Sequence, residues 1–222
     1  MRYKGIIFDF NGVLLWDEKW HKRAWNEVAK RLLGREIGEQ EFKELRGRTN
    51  KDWFEYLFKR RPQRPELQNL IDEKEQKYRD IAIRQKDFRL SPGAEQLLFL
   101  LKKSDVPMTI ATSSEIGNVK FFFEHLGLEN WFPLDKEVFD NGTFRGKPAP
   151  DIYLLAAKKI GLPPEECIVV EDAKSGISAA RSAGIGKIIA FAHDGNESEL
   201  QALPEVKKVI QNLGEITLED FE

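Results

Sequence analysis

The sequence is poor in cysteine and has no long apolar run, and each scarcity excludes a class of protein. Cys167 stands alone, so no internal disulfide can form. Because the apolar Ile168-Val169-Val170 follows it, we expect this thiol to pack in the core. No segment approaches the ~20 apolar residues of a membrane helix, and no signal peptide is recognisable. We therefore expect a cytoplasmic protein without a membrane partner.

Neither sign of charge is in excess. The 222 residues include 35 basic and 37 acidic ones, which gives a formal net charge of −2. This balance gives no reason to expect nucleic acid as a partner. The length allows one α/β core with an insertion or two small domains. The oligomeric state stays open, with a monomer favoured.

The stretch from Lys4 to Asp17, KGIIFDFNGVLLWD, predicts a buried strand that ends on a carboxylate. Its apolar run from Gly5 to Phe8 stops at Asp9, and Asn11-Gly12 then turns the chain. In an open parallel α/β sheet, ligands bind beyond the carboxyl ends of the strands. Asp9 is therefore a candidate for chemistry, although an acidic residue at an ordinary turn would give the same pattern.

Strands and helices alternate from residue 91 onwards. Ser91 is the expected N-cap and Pro92 the first residue of a helix that reaches about Lys103. The other predicted strands are 105–111, 167–170, 187–191 and a short one near 206–210, the other predicted helices are 117–126, 151–160 and 177–183, and an irregular stretch lies before Lys147-Pro148. This alternation predicts a parallel sheet covered on both faces.

Residues 17–88 have a different character, because they are charged, rich in aromatic side chains and apolar at helical spacing. Helices are predicted over 20–33 and 67–83, with a break at the prolines of residues 60–65. The pattern indicates a small helical bundle inserted into the α/β fold.

Polar groups fall at the ends of predicted strands or in the loops beside them: Asp9, Thr112, Lys147 and the pair Glu171-Asp172. Parallel strands bring their C-terminal ends to one edge, so these groups are expected to converge. The neighbouring GTFRGKP is not a nucleotide P-loop, since its spacing is one residue short and a proline follows the lysine.

Together, the segments FDFNGVLLWD, IATSS, GKPAPDIY and VVEDAKSGISAARSAG resemble the haloacid dehalogenase-like hydrolase superfamily. The resemblance covers essentially the whole chain and is to the capped subgroup of β-phosphoglucomutases and sugar phosphatases. It implies a Rossmann-like core of residues 1–16 and 89–222 and a helical cap domain of residues 17–88. Hinges near 15–18 and 86–90 would let the cap close and exclude water.

The resemblance also implies a reaction and a metal. Asp9 would be the nucleophile that accepts a phosphoryl group, since carboxylates serve in this role. Mg²⁺ prefers oxygen ligands, so Asp9, Asp172 and the backbone oxygen of Asn11 are the expected ligands, with Glu171 acting through water.

The remaining core residues are implied to bind the phosphoryl group. Thr112, with Ser113 and Ser114, would hydrogen-bond its oxygens. Lys147 would neutralise its charge during transfer.

Asn11 departs from the family pattern at a catalytic position. Phosphatases and mutases of the family usually have an acid/base Asp there, and an amide cannot exchange a proton near neutral pH. Dehalogenases also lack that Asp, but they do not need the metal site that Glu171-Asp172 suggests here. Asn11 is open to three explanations: a natural variant, an engineered change, or a protein that binds phosphoesters without efficient turnover.

Cap residues are expected to select the substrate. The candidates for substrate binding are His21, Arg46, Gly47, Asn50 and Lys51. In the mutase pattern an Arg grips the second phosphate at the position of Asn50, which counts against a mutase.

Three further basic residues of this block are considered alongside these candidates. Lys51 or Arg48 could replace the missing Arg. Lys74 could pair with His21, although its helix offers many lysines.

The sequence therefore predicts a Mg²⁺-dependent phosphatase that hydrolyses a small phosphomonoester, with a sugar phosphate favoured. The alternatives are a phosphomutase of the β-phosphoglucomutase type and a catalytically impaired phosphoester-binding protein. In each case the partner is a small phosphorylated metabolite.

Asn11→Asp tests the acid/base argument. General acid–base help is typically worth about 10²–10⁴-fold, so we expect this substitution to raise phosphatase turnover roughly tenfold or more. Equal rates of phosphate release in the native chain and in Asn11→Asp would show that the missing acid at position 11 does not limit turnover.

Overall fold

A computed structural model describes residues 1–193 and 195–222. The strands of this part of the chain form one parallel sheet in the order β3-β2-β1-β4-β5-β6. Their bounds are β1 (Gly5–Phe8), β2 (Met108–Glu115), β3 (Val138–Asp140), β4 (Cys167–Glu171), β5 (Lys187–Phe191) and β6 (Val206–Ile210). β1 lies between β2 and β4, with Phe8 opposite both Ile110 and Val170. The central strand is thus the one that ends at Asp9.

The helices fall into an inserted group and a group that covers the sheet. The helical block, which we define as residues 17–88, contains α1 (Glu18–Leu33), α2 (Glu39–Leu45), α3 (Asn50–Phe58) and α4 (Glu66–Ala82). The rest of the described chain contains α5 (Ala94–Lys103), α6 (Ile116–Leu126), α7 (Asp151–Lys159), α8 (Lys174–Ser182) and α9 (Glu197–Gln201). None of the described helices has both the length and the apolar character needed to cross a membrane.

Apolar side chains of the sheet point alternately to its two faces. Ile6 and Phe8 belong to one buried cluster, and Ile7 to a second one with side chains of α7 and α8. A strand whose residues are buried on both faces is typical of a parallel sheet between helices. The predicted Rossmann-like α/β fold is confirmed.

The helical block has an apolar cluster of its own. Trp25 and Trp53 stack with ring centroids 4.6 Å apart, and Phe42 meets Trp53 edge-on at 4.9 Å. These rings belong to a cluster that contains only residues of α1–α4 and the segments between them. The block can therefore bury apolar surface without the sheet, although its bounds as a domain stay a prediction.

The expected start of α5 is wrong. The helix begins at Ala94, and its N-cap is Gly93, with φ at 79°, rather than Ser91. A Cβ atom at Gly93 would collide with Asn212 and with the backbone of Gly214. The backbone N–H of Ser91 instead donates to Leu14, 2.9 Å away. Contacts with distant parts of the chain thus override the local capping signal.

The bounds around β2 and β3 also differ from the expectation. β2 starts at Met108 and continues through Thr112 to Glu115, whereas the prediction was 105–111. Asp105 has φ at 52°, so it lies in a turn rather than in a strand. The supposedly irregular stretch contains β3, which has three residues and is too short to show an alternating pattern.

A buried carboxyl at the start of β3 makes stability depend on pH. Glu137 is 3% exposed, and its Oε2 accepts hydrogen bonds from Ile110 N and from Thr109 Oγ1. Its Oε1 has no partner among the described residues. Burial raises the pKa of Glu137 from 4.5 to about 8.

Glu137→Gln should therefore change the pH dependence of unfolding. The protonated carboxyl stabilises the folded protein below pH 4.5, and this contribution is lost as pH rises through about 8. Relative to Glu137→Gln, the native chain should lose free energy of unfolding between those values. Urea titrations at several pH values measure this, with the exposed Glu129→Gln as control. Parallel pH curves for the native chain and Glu137→Gln would contradict it.

Candidate active site

The polar groups expected at the ends of the strands do meet at one edge of the sheet. Asp9 follows β1, Glu171 ends β4 and Asp172 follows it. The backbone N–H of Asp9 donates to Val170 at 3.0 Å, which holds the two strand ends together. Oxygen atoms of these three buried carboxylates lie within 4.8 Å of one another.

A buried ammonium group links two of the carboxylates. Lys147, from the loop before α7, is 1% exposed. Its Nζ donates to Asp9 Oδ1 at 2.9 Å and to Glu171 Oε1 at 2.6 Å. Burial opposes the charge of Lys147, but these two carboxylates outweigh burial and raise its pKa.

One ammonium does not balance three carboxylates. Burial raises the pKa of Asp9 to about 8, and the negative charges of Glu171 and Asp172 add to this, although Lys147 acts in the opposite direction. Such a pKa means that ionised Asp9 needs more positive charge nearby. A divalent cation would supply it.

The donor atoms fit a hard divalent cation. Asp9 and Asp172 offer carboxylate oxygens, and no described backbone N–H donates to the carbonyl oxygen of Asn11. These are the ligand types that Mg²⁺ prefers. Gly12 makes the approach possible, because its φ is 87° and a Cβ there would overlap the carboxylate of Asp172.

Glu171 is already fully hydrogen-bonded. Besides Lys147, its Oε1 accepts from Tyr153 Oη at 2.7 Å, and its Oε2 accepts from the backbone N–H groups of Asp172 and Ala173. A Cβ at Gly176 would overlap this carboxylate. These contacts suit a residue that acts on a metal only through water, and that role stays a prediction.

The side chain of Asn11 is bonded at both ends. Its Nδ2 donates to Asp17 Oδ2 at 2.6 Å. Its Oδ1 accepts from Ser114 Oγ at 2.8 Å and from Thr112 Oγ1 at 3.4 Å. Two of the hydroxyls predicted to bind a phosphoryl group thus bond to Asn11 here.

A cavity of about 110 Å³ lies between the helical block and this edge of the sheet. Most residues predicted from the sequence line it: Asp9, Asn11, His21, Arg46, Gly47, Asn50, Ser113, Ser114 and Asp172. Lys51 is not among the described residues that line it, so the structure does not place its side chain with the other candidates. Arg48 does line it.

The loop between α2 and α3 contacts the sheet edge directly. Arg46 Nη2 lies 2.7 Å from Asp172 Oδ2 and 2.6 Å from Glu18 Oε2. Ser175 Oγ and Ser113 Oγ donate to the backbone oxygens of Arg46 and Gly47, respectively.

Arg46 also explains the ionisation of Asp172. Burial favours the neutral carboxyl of Asp172, but Arg46 and then His193 outweigh burial and lower its pKa. The pKa of Asp172 is thus lowered, whereas that of Asp9 is raised.

His21 and Lys74 pair as the sequence suggested. Lys74 Nζ lies 2.9 Å from His21 Nδ1 and 2.8 Å from Glu75 Oε1. Asn50 Nδ2 donates to the same oxygen of Glu75 at 2.7 Å. Burial opposes ionisation of Glu75, but the charge of Lys74 and the hydrogen bonds from Lys74 and Asn50 hold its pKa at about 2. The charge of Lys74 is thus compensated within the block.

Sequence reasoning missed several residues that orient the predicted ones. Asp17 bonds to Asn11, Tyr153 to Glu171, and His193 Nε2 lies 3.3 Å from Asp172 Oδ2. Tyr153 is part of the segment GKPAPDIY, so its proximity to Lys147 was accessible from the sequence. Asp17 likewise ends the segment FDFNGVLLWD, whereas His193 carried no comparable signal.

Comparisons with known proteins agree with this geometry. Residues 3–184 match the family model of the haloacid dehalogenase-like hydrolases. Hexitol phosphatase A of Escherichia coli K12 is 32% identical, with 98% of this chain and 95% of that protein covered. The β-phosphoglucomutase of Bacillus subtilis 168 is 29% identical, with coverages of 82% and 80%.

A solved structure is similar over nearly the whole chain. It is a HAD hydrolase of family IA, variant 3, from Entamoeba histolytica HM-1:IMSS, at 42% identity. The TM-score is 0.89, and the match covers 98% of this chain and 97% of the other.

The carboxylate cluster should bind a divalent cation through Asp9 and Asp172. Mn²⁺ affinity, measured by electron paramagnetic resonance of the free ion, should fall roughly tenfold or more in Asp9→Asn and in Asp172→Asn, because each loses a charged ligand. The exposed Asp135→Asn serves as control and should keep the native affinity. Equal affinity in all four proteins would exclude a metal site here.

Proposed function

Since this chain belongs to the haloacid dehalogenase-like hydrolases, we propose that it is a Mg²⁺-dependent phosphatase of small phosphomonoesters. The proposal rests chiefly on one observation. Asp9, at the end of the central strand, lies beside a buried ammonium and within reach of two further carboxylates. This arrangement suits a nucleophilic carboxylate that attacks an anionic substrate.

Only one of the two oxygens of Asp9 is hydrogen-bonded to Lys147. Its Oδ1 accepts from Lys147, which leaves Oδ2 to attack phosphorus. The P–O bond to the leaving group breaks, and the phosphoryl group is transferred to the carboxylate. Water then attacks phosphorus and releases inorganic phosphate, which restores Asp9.

Positive charge around Asp9 makes the attack on an anion feasible. Mg²⁺ held by Asp9, Asp172 and the Asn11 carbonyl would offset the charge of the phosphoryl oxygens. Lys147 is positioned by two carboxylates before the substrate arrives, so its orientation needs no change during transfer. The hydroxyls of Thr112 and Ser114 would exchange their bonds to Asn11 for bonds to the phosphoryl group.

Sugar monophosphates are the proposed substrates. The hexitol phosphatase and β-phosphoglucomutase among the relatives act, by their names, on phosphorylated sugars or sugar alcohols. Lys74 is compensated by Glu75, and Asn50 stands where a mutase would bind a second phosphate. Both features favour hydrolysis of a monophosphate over isomerisation through a bisphosphate.

A second candidate is a phosphoester-binding protein with slow turnover. The observation that favours it is Asn11, whose amide offers no exchangeable proton to a leaving group. Both candidates use the same edge of the sheet around Asp9 and Lys147, and they differ only in the rate of phosphate release.

Phosphate release from a panel of sugar monophosphates, with Mg²⁺ present, separates these functions. We expect release from at least one of them, loss of release in Asp9→Asn, and an unchanged rate in Asp135→Asn. The reason is that only the first substitution removes the nucleophile. NMR of the products identifies isomerisation, which would indicate a mutase. Release no greater than that of Asp9→Asn across the panel would favour the binding protein.

A further inference from the structure

Asp17 is a buried carboxylate that does not cap the helix it precedes. It occupies the N-cap position of α1, but its side chain makes no capping bond there. Its carboxylate is completely buried. Oδ2 accepts instead from Asn11 Nδ2 at 2.6 Å and from Tyr78 Oη. The ordinary role of an acid before a helix therefore does not account for this residue.

Burial of the Asp17 carboxylate costs solvation free energy. Among the described residues no lysine or arginine forms an ion pair with it, and its Oδ1 has no hydrogen-bond partner. His21 Nε2 is 3.3 Å from Oδ2. A buried carboxylate without a strong cation loses solvation that its hydrogen bonds only partly replace. The three partners of Oδ2 (Asn11, Tyr78 and His21) therefore indicate what this carboxylate does.

The hydrogen-bond network fixes the proton of His21. Lys74 has only donors to offer, so His21 Nδ1 accepts from it and the ring proton is on Nε2. Nε2 then donates to Asp17 Oδ2. Its contact with Asn11 Nδ2, at 3.3 Å, joins two donors and is not a hydrogen bond. The acceptor for the Asn11 amide is thus Asp17.

The same reasoning fixes the orientation of the Asn11 amide. Asp17 Oδ2 already accepts from Tyr78 Oη and lies 3.3 Å from the protonated Nε2 of His21, so it is an acceptor and the nitrogen of Asn11 faces it. The amide oxygen then faces the hydroxyls of Ser114 and Thr112. A carboxylate at position 11 would place one negative oxygen against another at the same 2.6 Å.

We propose that Asp17 is a positioning residue that selects an amide at position 11 and aims its carbonyl oxygen at the hydroxyls that bind the phosphoryl group. Asn11 then links Asp17 to the hydroxyls of Ser114 and Thr112. The proposal rests on the proposed function only for its kinetic consequence, because the pairing itself is a property of the folded chain.

This pairing changes what Asn11→Asp alone should do. The single substitution puts two buried carboxylates in contact, so it costs stability as well as adding an acid. Asn11→Asp combined with Asp17→Asn reverses the donor and the acceptor and keeps one hydrogen bond between the two positions. The new amide can also donate its second hydrogen to Tyr78 Oη.

A four-protein cycle measures the coupling: the native chain, Asn11→Asp, Asp17→Asn and the double variant. We expect Asn11→Asp to lower the thermal midpoint by about 5 °C or more and Asp17→Asn by less than about 2 °C. The double variant should recover at least half of the larger loss. Peptide mass spectrometry confirms that Asn11-Gly12 has not deamidated. The exposed Asn69→Asp is the control and should leave the midpoint unchanged.

Additive losses in the double variant, or no loss in Asn11→Asp, would overturn the proposal. Neither result depends on catalysis, so the cycle decides the pairing even if the chain releases no phosphate.

Kinetics with p-nitrophenyl phosphate as the probe separate positioning from mere stability. Asp17→Leu removes the acceptor and frees the Asn11 amide, so kcat should fall roughly tenfold with KM nearly unchanged. Asp17→Asn keeps an acceptor oxygen and should restore most of that loss. An equal kcat in folded Asp17→Leu and the native chain would overturn the positioning role. Absence of turnover in every protein, the native chain included, would instead count against the proposed function.

Discussion

The buried ammonium of Lys147, shared by Asp9 and Glu171, is the interaction on which the site depends. The sheet brings the ends of β1 and β4 together, and both ends carry buried carboxylates. Such carboxylates repel one another unless a cation lies between them. Lys147 is shared by two of them, Asp9 and Glu171, and Arg46 pairs with the third, Asp172, so one negative charge is left over. The negative charge that remains around Asp9 supports the proposal that this edge of the sheet binds a divalent cation and, with it, an anionic substrate.

The helical block contributes more than a cover. Its aromatic cluster around Trp25 and Trp53 gives it an apolar centre. Its polar side chains form a second network that runs from Glu75 through Lys74 and His21 towards the sheet. Arg46 extends the block to Asp172. The helical block and the rest of the chain therefore both determine how the side chains at the sheet edge are placed and how their charges are balanced.

The sequence was informative where a signal is local or where topology is simple. The bounds of β1 and the convergence of Asp9, Lys147 and Asp172 followed from an apolar run and from the geometry of parallel strands. The start of α5 could not be predicted in this way, because Gly93 packs against Asn212 and Gly214, which are more than a hundred residues away in the sequence. β3 escaped detection because three residues carry no periodicity. Asp17 escaped because an acid before a helix is an ordinary N-cap until its partners are seen.

Gly176 is a position at which the site restricts which residue the chain can carry. Any side chain at this position would fall on the carboxylate of Glu171, which in turn holds Lys147. A substitution at position 176 would thus disturb Asp9 through Glu171 and Lys147. A chain that keeps the carboxylate at position 171 is therefore expected to keep the glycine at position 176 as well.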